Sequence, residues 1–133
     1  MRIFLDTNVL VSAFATRGLS ADLFEAVSIE HELVTGRAVL KELERALRVK
    51  LKLSASRSAE AVDLIATEAT LVVEHAITAA CAADEDDRLI LGEALAGQAE
   101  LFVTGDAALL GIERLGKMRI VSPRQLWEIL QNE

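Results

Sequence analysis

Two short apolar runs of this 133-residue chain end in an aspartate: Ile3-Phe4-Leu5-Asp6 and Leu101-Phe102-Val103-Thr104-Gly105-Asp106. In an open parallel sheet, ligands bind beyond the carboxyl ends of the strands, so neighbouring runs of this kind would turn Asp6 and Asp106 toward one crevice. A third acidic group, Asp84-Glu85-Asp86-Asp87, precedes the segment leading into the second run. Glu42 is a fourth candidate, three residues after Val39 and close to the apolar stripe of its own helix. Carboxylates that converge repel and raise one another's pKa unless a cation sits among them. Hard oxygen donors without Cys or a nearby His suit Mg2+ or Mn2+ rather than zinc. The chemistry of such a site is water activation and stabilisation of phosphoryl oxygens. Each acid also has a plainer use. An aspartate after a strand caps a turn or helix, Asp84 to Asp87 complement a helix N-terminus, and Glu42 belongs equally to a solvated helix face. Spacing alone leaves both readings open.

For these acids to meet, strands must alternate with helices, and the patterning does alternate. Arg2-Ile3-Phe4-Leu5 suits a buried strand closed by Asp6-Thr7-Asn8. Val9 to Ala15 reads as a helix. After Arg17-Gly18 a second helix runs from Ser20, its expected cap, to about Ser28, with Asp22 in the first turn. Glu32 to Thr35 reads as a strand. From Arg37 to Arg48 the apolar Val39, Leu43, Ala46 and Leu47 share one helical face, and Val62, Ile65, Ala66 and Ala69 repeat that spacing. Leu71-Val72-Val73 is a third strand, Asp87 to about Gly97 a helix, Leu101 to Thr104 a fourth strand and Met118 to Val121 a weaker fifth. Ser122 caps a last helix with Pro123 at its first position. The expectation is an α/β fold, helices around a central, mostly parallel sheet of four to five strands. No linker or repeat divides it, so residues 1–133 read as one domain.

Composition supports a folded, cytoplasmic chain. Hydrophobic residues make up 52%, with one Pro and seven Gly, and mean hydropathy is +0.33, which excludes disorder and low-complexity classes. The longest apolar run, Ala79 to Ala83, has five residues, against the ~20 of a membrane span. Asp6 comes too early for a signal peptide. The single Cys81 reads as a small core residue, and His31 and His75 as structural or exposed. Taken alone, the net charge of −7 disfavours nucleic acid. It is unevenly spread, however. Residues 37–57 carry seven basic side chains against two acids, a local +5, and the remainder carries −12.

The motifs together resemble those of PIN-domain ribonucleases, especially the VapC-like toxin components of bacterial toxin–antitoxin pairs. Leu5-Asp6-Thr7-Asn8-Val9-Leu10-Val11-Ser12-Ala13 resembles the family's opening strand and turn. Val39-Leu40-Lys41-Glu42-Leu43 is similar to the helix carrying its second acid, and Asp84-Glu85-Asp86-Asp87-Arg88-Leu89-Ile90-Leu91 to its third motif. Val103-Thr104-Gly105-Asp106-Ala107-Ala108-Leu109-Leu110 is similar to its fourth, so the similarity runs from Ile3 to Leu130. The third motif departs in one respect: the family often has Asp-Pro where this chain has Asp84-Glu85.

The resemblance implies a three-layer α/β/α PIN-like domain and a metal-dependent endoribonuclease. By matching positions, Asp6, Glu42, Asp87 and Asp106 would be the catalytic acids and would hold Mg2+ or Mn2+, with Asp86 the alternative to Asp87. Asn8 and Thr104 would support them by hydrogen bonds. Arg37, Lys41, Arg45 and Arg48 recur along the helix of Glu42 and would grip RNA phosphates. The implied partners are an RNA substrate, an antitoxin covering the acidic crevice and a second copy in a homodimer. The apolar Leu126, Trp127, Ile129 and Leu130 suit either protein contact. Two other readings stand beside this one. An aspartate-nucleophile phosphatase would want a second Asp where Asn8 stands. A non-catalytic PIN-like module would bind RNA or protein without cutting.

Overall fold

The computed structural model of the protein describes residues 1–72 and 84–133. Val73, His75, Cys81 and the Ala79 to Ala83 run lie outside the described residues. The elements, in chain order, are β1 (Arg2–Leu5), α1 (Thr7–Ala15), α2 (Leu19–Glu30), β2 (Glu32–Gly36), α3 (Arg37–Val49), α4 (Ala55–Glu68) and β3 (Thr70–Val72). They continue with α5 (Glu85–Ala96), β4 (Leu101–Val103), α6 (Ala107–Leu110), β5 (Arg114–Leu115), β6 (Met118–Val121) and α7 (Pro123–Gln131).

The strands form one sheet in the order β3-β2-β1-β4-β6-β5, parallel throughout except for β5 against β6. Successive strand residues point to opposite faces. Ile3, Phe4 and Leu5 of β1 and Leu101, Phe102 and Val103 of β4 are nevertheless all buried. Both faces of the sheet centre are therefore covered, which explains why these strands read as continuous apolar runs. Phe4 and Phe102 are register partners, and their rings stack 5.4 Å apart. Full burial of each is worth roughly 1.5–3 kcal/mol.

The sheet has six strands where four to five were expected. The addition is β5, a two-residue strand joined to β6 through Gly116 and Lys117, with Gly116 at φ +58°. A left-handed turn of that kind favours glycine. The short α6 was also not expected. Helix starts differ for local reasons. α1 begins at Thr7, because Asp6 accepts the Thr7 amide, and α5 begins at Glu85, because Asp84 accepts the amides of Asp86 and Asp87. Ser20 is not the cap of α2. Gly18 is, with extended backbone, and its carbonyl accepts Asp22 N at 3.1 Å. In α7, Leu126 is buried and Ile129 and Leu130 pack against the core, which leaves Trp127 as the exposed member of that apolar group.

Candidate active site

The β1–β4 pairing puts the two strand-end aspartates on one edge of the sheet. Leu5 is the register partner of Val103, and the ladder continues with Asp6 N donating to Val103 O at 2.9 Å. Thr104 thus lies beside Asp6, and its buried hydroxyl donates to Asp6 Oδ2 at 2.8 Å. The same hydroxyl accepts from Asn8 Nδ2 at 3.2 Å and from Asp106 N at 3.1 Å. One donor and two acceptor positions of Thr104 are all in use. Asn8 Nδ2 also donates to Asp6 Oδ2 (3.1 Å), while Asn8 Oδ1 accepts from Gly105 N (2.9 Å). Asp6, Asn8, Thr104, Gly105 and Asp106 are therefore one hydrogen-bonded network.

Both strand-end aspartates also cap helices. Asp6 Oδ1 accepts from Thr7 N at 2.8 Å, opening α1, and Asp106 Oδ1 accepts from Ala108 N at 2.8 Å, opening α6. The capping use and the converging use of these residues coexist, because each carboxylate has two oxygens. Asp106 Oδ2 carries no hydrogen bond among the described residues.

Glu42 arrives from α3, and Asp86 and Asp87 from the first turn of α5. Together with Asp6 and Asp106 they line one cleft of about 510 Å3, which Thr7, Asn8, Val11, Arg45 and Lys50 also help to form. The acids affect one another. Asp6 is raised above the ordinary carboxylate value by burial first, and the charge of Asp106 adds to this against three hydrogen bonds that oppose it. Glu42 is raised by burial and then by Asp6, Asp86, Asp87 and Asp84. Asp87 is pushed up to about 6 by burial, then by Asp84, Asp6, Asp106 and Asp86. Five carboxylates thus share a cleft, and three of them, Asp6, Glu42 and Asp87, are held above the ordinary carboxylate value there.

The donor set is hard: carboxylates and an amide oxygen, with His31 engaged elsewhere, at the Met1 amine and Glu133. Among the described residues, no three acidic, His or Cys side chains already form a cation cage. An open, all-oxygen cleft fits Mg2+ or Mn2+ better than zinc, since these hard cations prefer oxygen ligands and Mg2+ keeps several waters.

Lys41, Arg45 and Arg48 line an adjacent depression of about 530 Å3, and Arg37 lies outside both. Arg45 borders the two together. Lys50, just past the end of α3, contributes to the acidic cleft although the helical spacing did not single it out. Glu93 was also missed. It is 1% exposed in α5 and binds the backbone of α3, and no local pattern marks a contact between residues so far apart.

A family model described as PIN domain matches residues 2–108, a segment that contains Asp6, Glu42, Asp87 and Asp106. No curated protein matches the chain in sequence. Two similar solved structures share the fold. VapBC2 from Rickettsia felis, solved bound to a DNA fragment from the promoter, superposes with a TM-score of 0.65 at 16% identity, over 92% of this chain and 98% of that one. VapBC-1 from nontypeable Haemophilus influenzae gives 0.67 at 15% identity, over 93% and 99%. At such identities the likeness concerns architecture, while the family match takes in the acidic cleft as well; the chain belongs to the PIN domain family.

Proposed function

We propose that this protein is a Mg2+- or Mn2+-dependent endoribonuclease, the toxin of a toxin–antitoxin pair. The observation that carries the reading is the convergence of Asp6, Glu42, Asp87 and Asp106 on one cleft at the carboxyl edge of the sheet. Membership of the PIN domain family and the likeness to two VapBC structures support it. Asp6, Asp87 and Asp106 would be the core metal ligands, with Asp86 the neighbour best placed to substitute. The chemistry such a cation supplies when bound is water activation and charge on the phosphoryl oxygens.

The chain's own residues do the positioning. Thr104 and Asn8 fix the Asp6 carboxylate through three bonds of 2.8–3.2 Å among themselves. Asp106 is held at the start of α6 by its cap. Glu42, brought to the same cleft by α3, would ligate the cation through water or orient the nucleophile. Lys41, Arg45 and Arg48 form no ion pair among the described residues, so their charges are available to RNA phosphates flanking the scissile bond.

Two protein contacts belong to the same reading. An antitoxin would cover the acidic cleft and place a basic side chain among the carboxylates. A homodimer is the second, with Trp127 as the exposed apolar side chain of α7. No helix among the described residues is long and apolar enough to cross a membrane.

The test is cleavage of RNA by the wild type and by Asp6→Asn in Mg2+ and in Mn2+. Cleavage by the wild type alone is the expected result. Equal activity in both would refute the site assignment. Inactivity of both, with RNA still bound, would make the protein a non-catalytic binding module.

A further inference from the structure

Helix α3 starts without a cap of its own. Its N-cap is Gly36, which has no side chain to satisfy the first-turn amides. The acceptor comes from another helix: Glu93 Oε2 and Oε1 of α5 stand 3.0 and 3.2 Å from Ala38 N. Ala38 is the second residue of α3, where an N-cap side chain ordinarily accepts. Glu93 is the most deeply buried acid among the described residues. An acceptor oxygen there meets the positive end of the α3 dipole.

Gly36 makes the contact sterically possible. A Cβ at that position would run into Cδ, Oε1 and Oε2 of Glu93. Its backbone is extended (φ −145°), so it is the space, not the conformation, that requires glycine.

A cap supplied from within α3 would order only α3. A cap supplied from α5 also fixes where the two helices stand relative to each other, and they pack directly. Glu42 lies four residues beyond Ala38, about one turn, and Asp86 and Asp87 lie about two turns before Glu93. The contact therefore joins the helix that brings Glu42 to the helix that brings Asp86 and Asp87.

We propose that Glu93 is a positioning residue which, by capping α3 from α5, sets the spacing of Glu42 against Asp87 and thereby the divalent-cation affinity of the cleft. This rests on the metal-dependent reading above.

The test is Mn2+ binding to the full chain, followed by the electron paramagnetic resonance signal of free Mn2+, which requires no turnover. Glu93→Gln keeps the shape and one acceptor but replaces the second oxygen with an amide donor. Gly36→Ala leaves Glu93 intact and displaces its carboxylate. Each is expected to weaken Mn2+ binding about tenfold, the scale seen when residues supporting metal ligands are changed. Because both act on one contact, the double variant should be little worse than the weaker single one. Ser122→Ala, which removes the cap of the separate helix α7, supplies the stability control. It should lower the melting temperature and leave Mn2+ affinity unchanged.

Unaltered affinity in folded Glu93→Gln and Gly36→Ala would overturn the proposal. So would an equal loss in Ser122→Ala, which would reduce Glu93 to general stability. If the wild type binds no Mn2+, the metal-dependent reading fails, and this inference fails with it.

Discussion

One oxygen of Asp6 closes the first turn of α1, and the other takes hydrogen bonds from Thr104 and Asn8. Those bonds favour the ionised form, yet the pKa is raised, so burial outweighs them. Asp87 shows the consequence more openly, at about 6 against an ordinary 3.8. A group whose pKa is higher folded than unfolded adds stability below its unfolded pKa and loses that contribution as pH rises through its folded value. In the metal-free protein the Asp87 contribution is thus present near pH 4 and lost by pH 7.5. Asp87→Asn should be nearly neutral at pH 4.5 and more stable than wild type at pH 7.5. The expected gain is about 1 kcal/mol, because screening at a half-exposed carboxylate removes much of what the full shift would give. Urea unfolding in EDTA at the two pH values measures it. A gap that does not widen with pH would contradict the burial and repulsion described for Asp87 in this cleft. Added Mn2+ should reverse the order at pH 7.5 by stabilising the wild type selectively.

The helices differ in how they start, and that difference governs what a sequence can disclose. In α7 the cap is local: Ser122 Oγ accepts from Gln125 N at 3.1 Å, and Gln125 Oε1 accepts from Ser122 N at 2.8 Å, with Pro123 at the first position. Ser122→Ala should cost about 1 kcal/mol in urea unfolding; a loss below a few tenths would mean that solvent satisfies the freed amides. Such a cap is legible because all its parts lie within four residues. The cap of α3 is not, since Glu93 and Ala38 stand 55 positions apart. The same physics separates the strands. β1 and β4 were legible as unbroken apolar runs because both their faces are covered, whereas β5 is two residues defined by the Gly116 turn and by pairing with β6. At the site, Asp6 and Asp106 were legible because each ends an apolar run. Asp86 and Asp87 stayed ambiguous because both line the cleft from one helical turn. Lys50 escaped because it follows the end of α3, where helical spacing no longer applies.

At the scale of the whole molecule, the net charge of −7 opposes RNA only if charge is averaged over the surface. The four proposed ligands account for four of those negative charges, and two divalent ions would offset as many. The basic residues of α3 are concentrated beside this acidity. Lys41, Arg45 and Arg48 line one depression, and Arg45 also borders the acidic cleft, so a polyanion lying along α3 passes from neutralising cations to the carboxylates. Binding through such contacts releases counterions, and for single strands the slope of log K against log salt is about −0.7 per phosphate neutralised. In an Asp6→Asn background, chosen to abolish the proposed cleavage, Lys41→Ala with Arg45→Ala should therefore flatten the slope by about 1.4 and weaken RNA binding at low salt. Arg124→Ala provides the comparison. It removes an exposed cation on α7 that pairs with Glu128 at 3.8 Å, the same change of net charge per residue at a place away from α3. It should leave the slope as it was. Equal slopes for all three proteins, measured by fluorescence anisotropy between 50 and 200 mM salt, would show that α3 does not carry the RNA and that its charge serves another purpose. A uniform shift in all variants would point to net charge, rather than its placement, as the quantity that RNA senses.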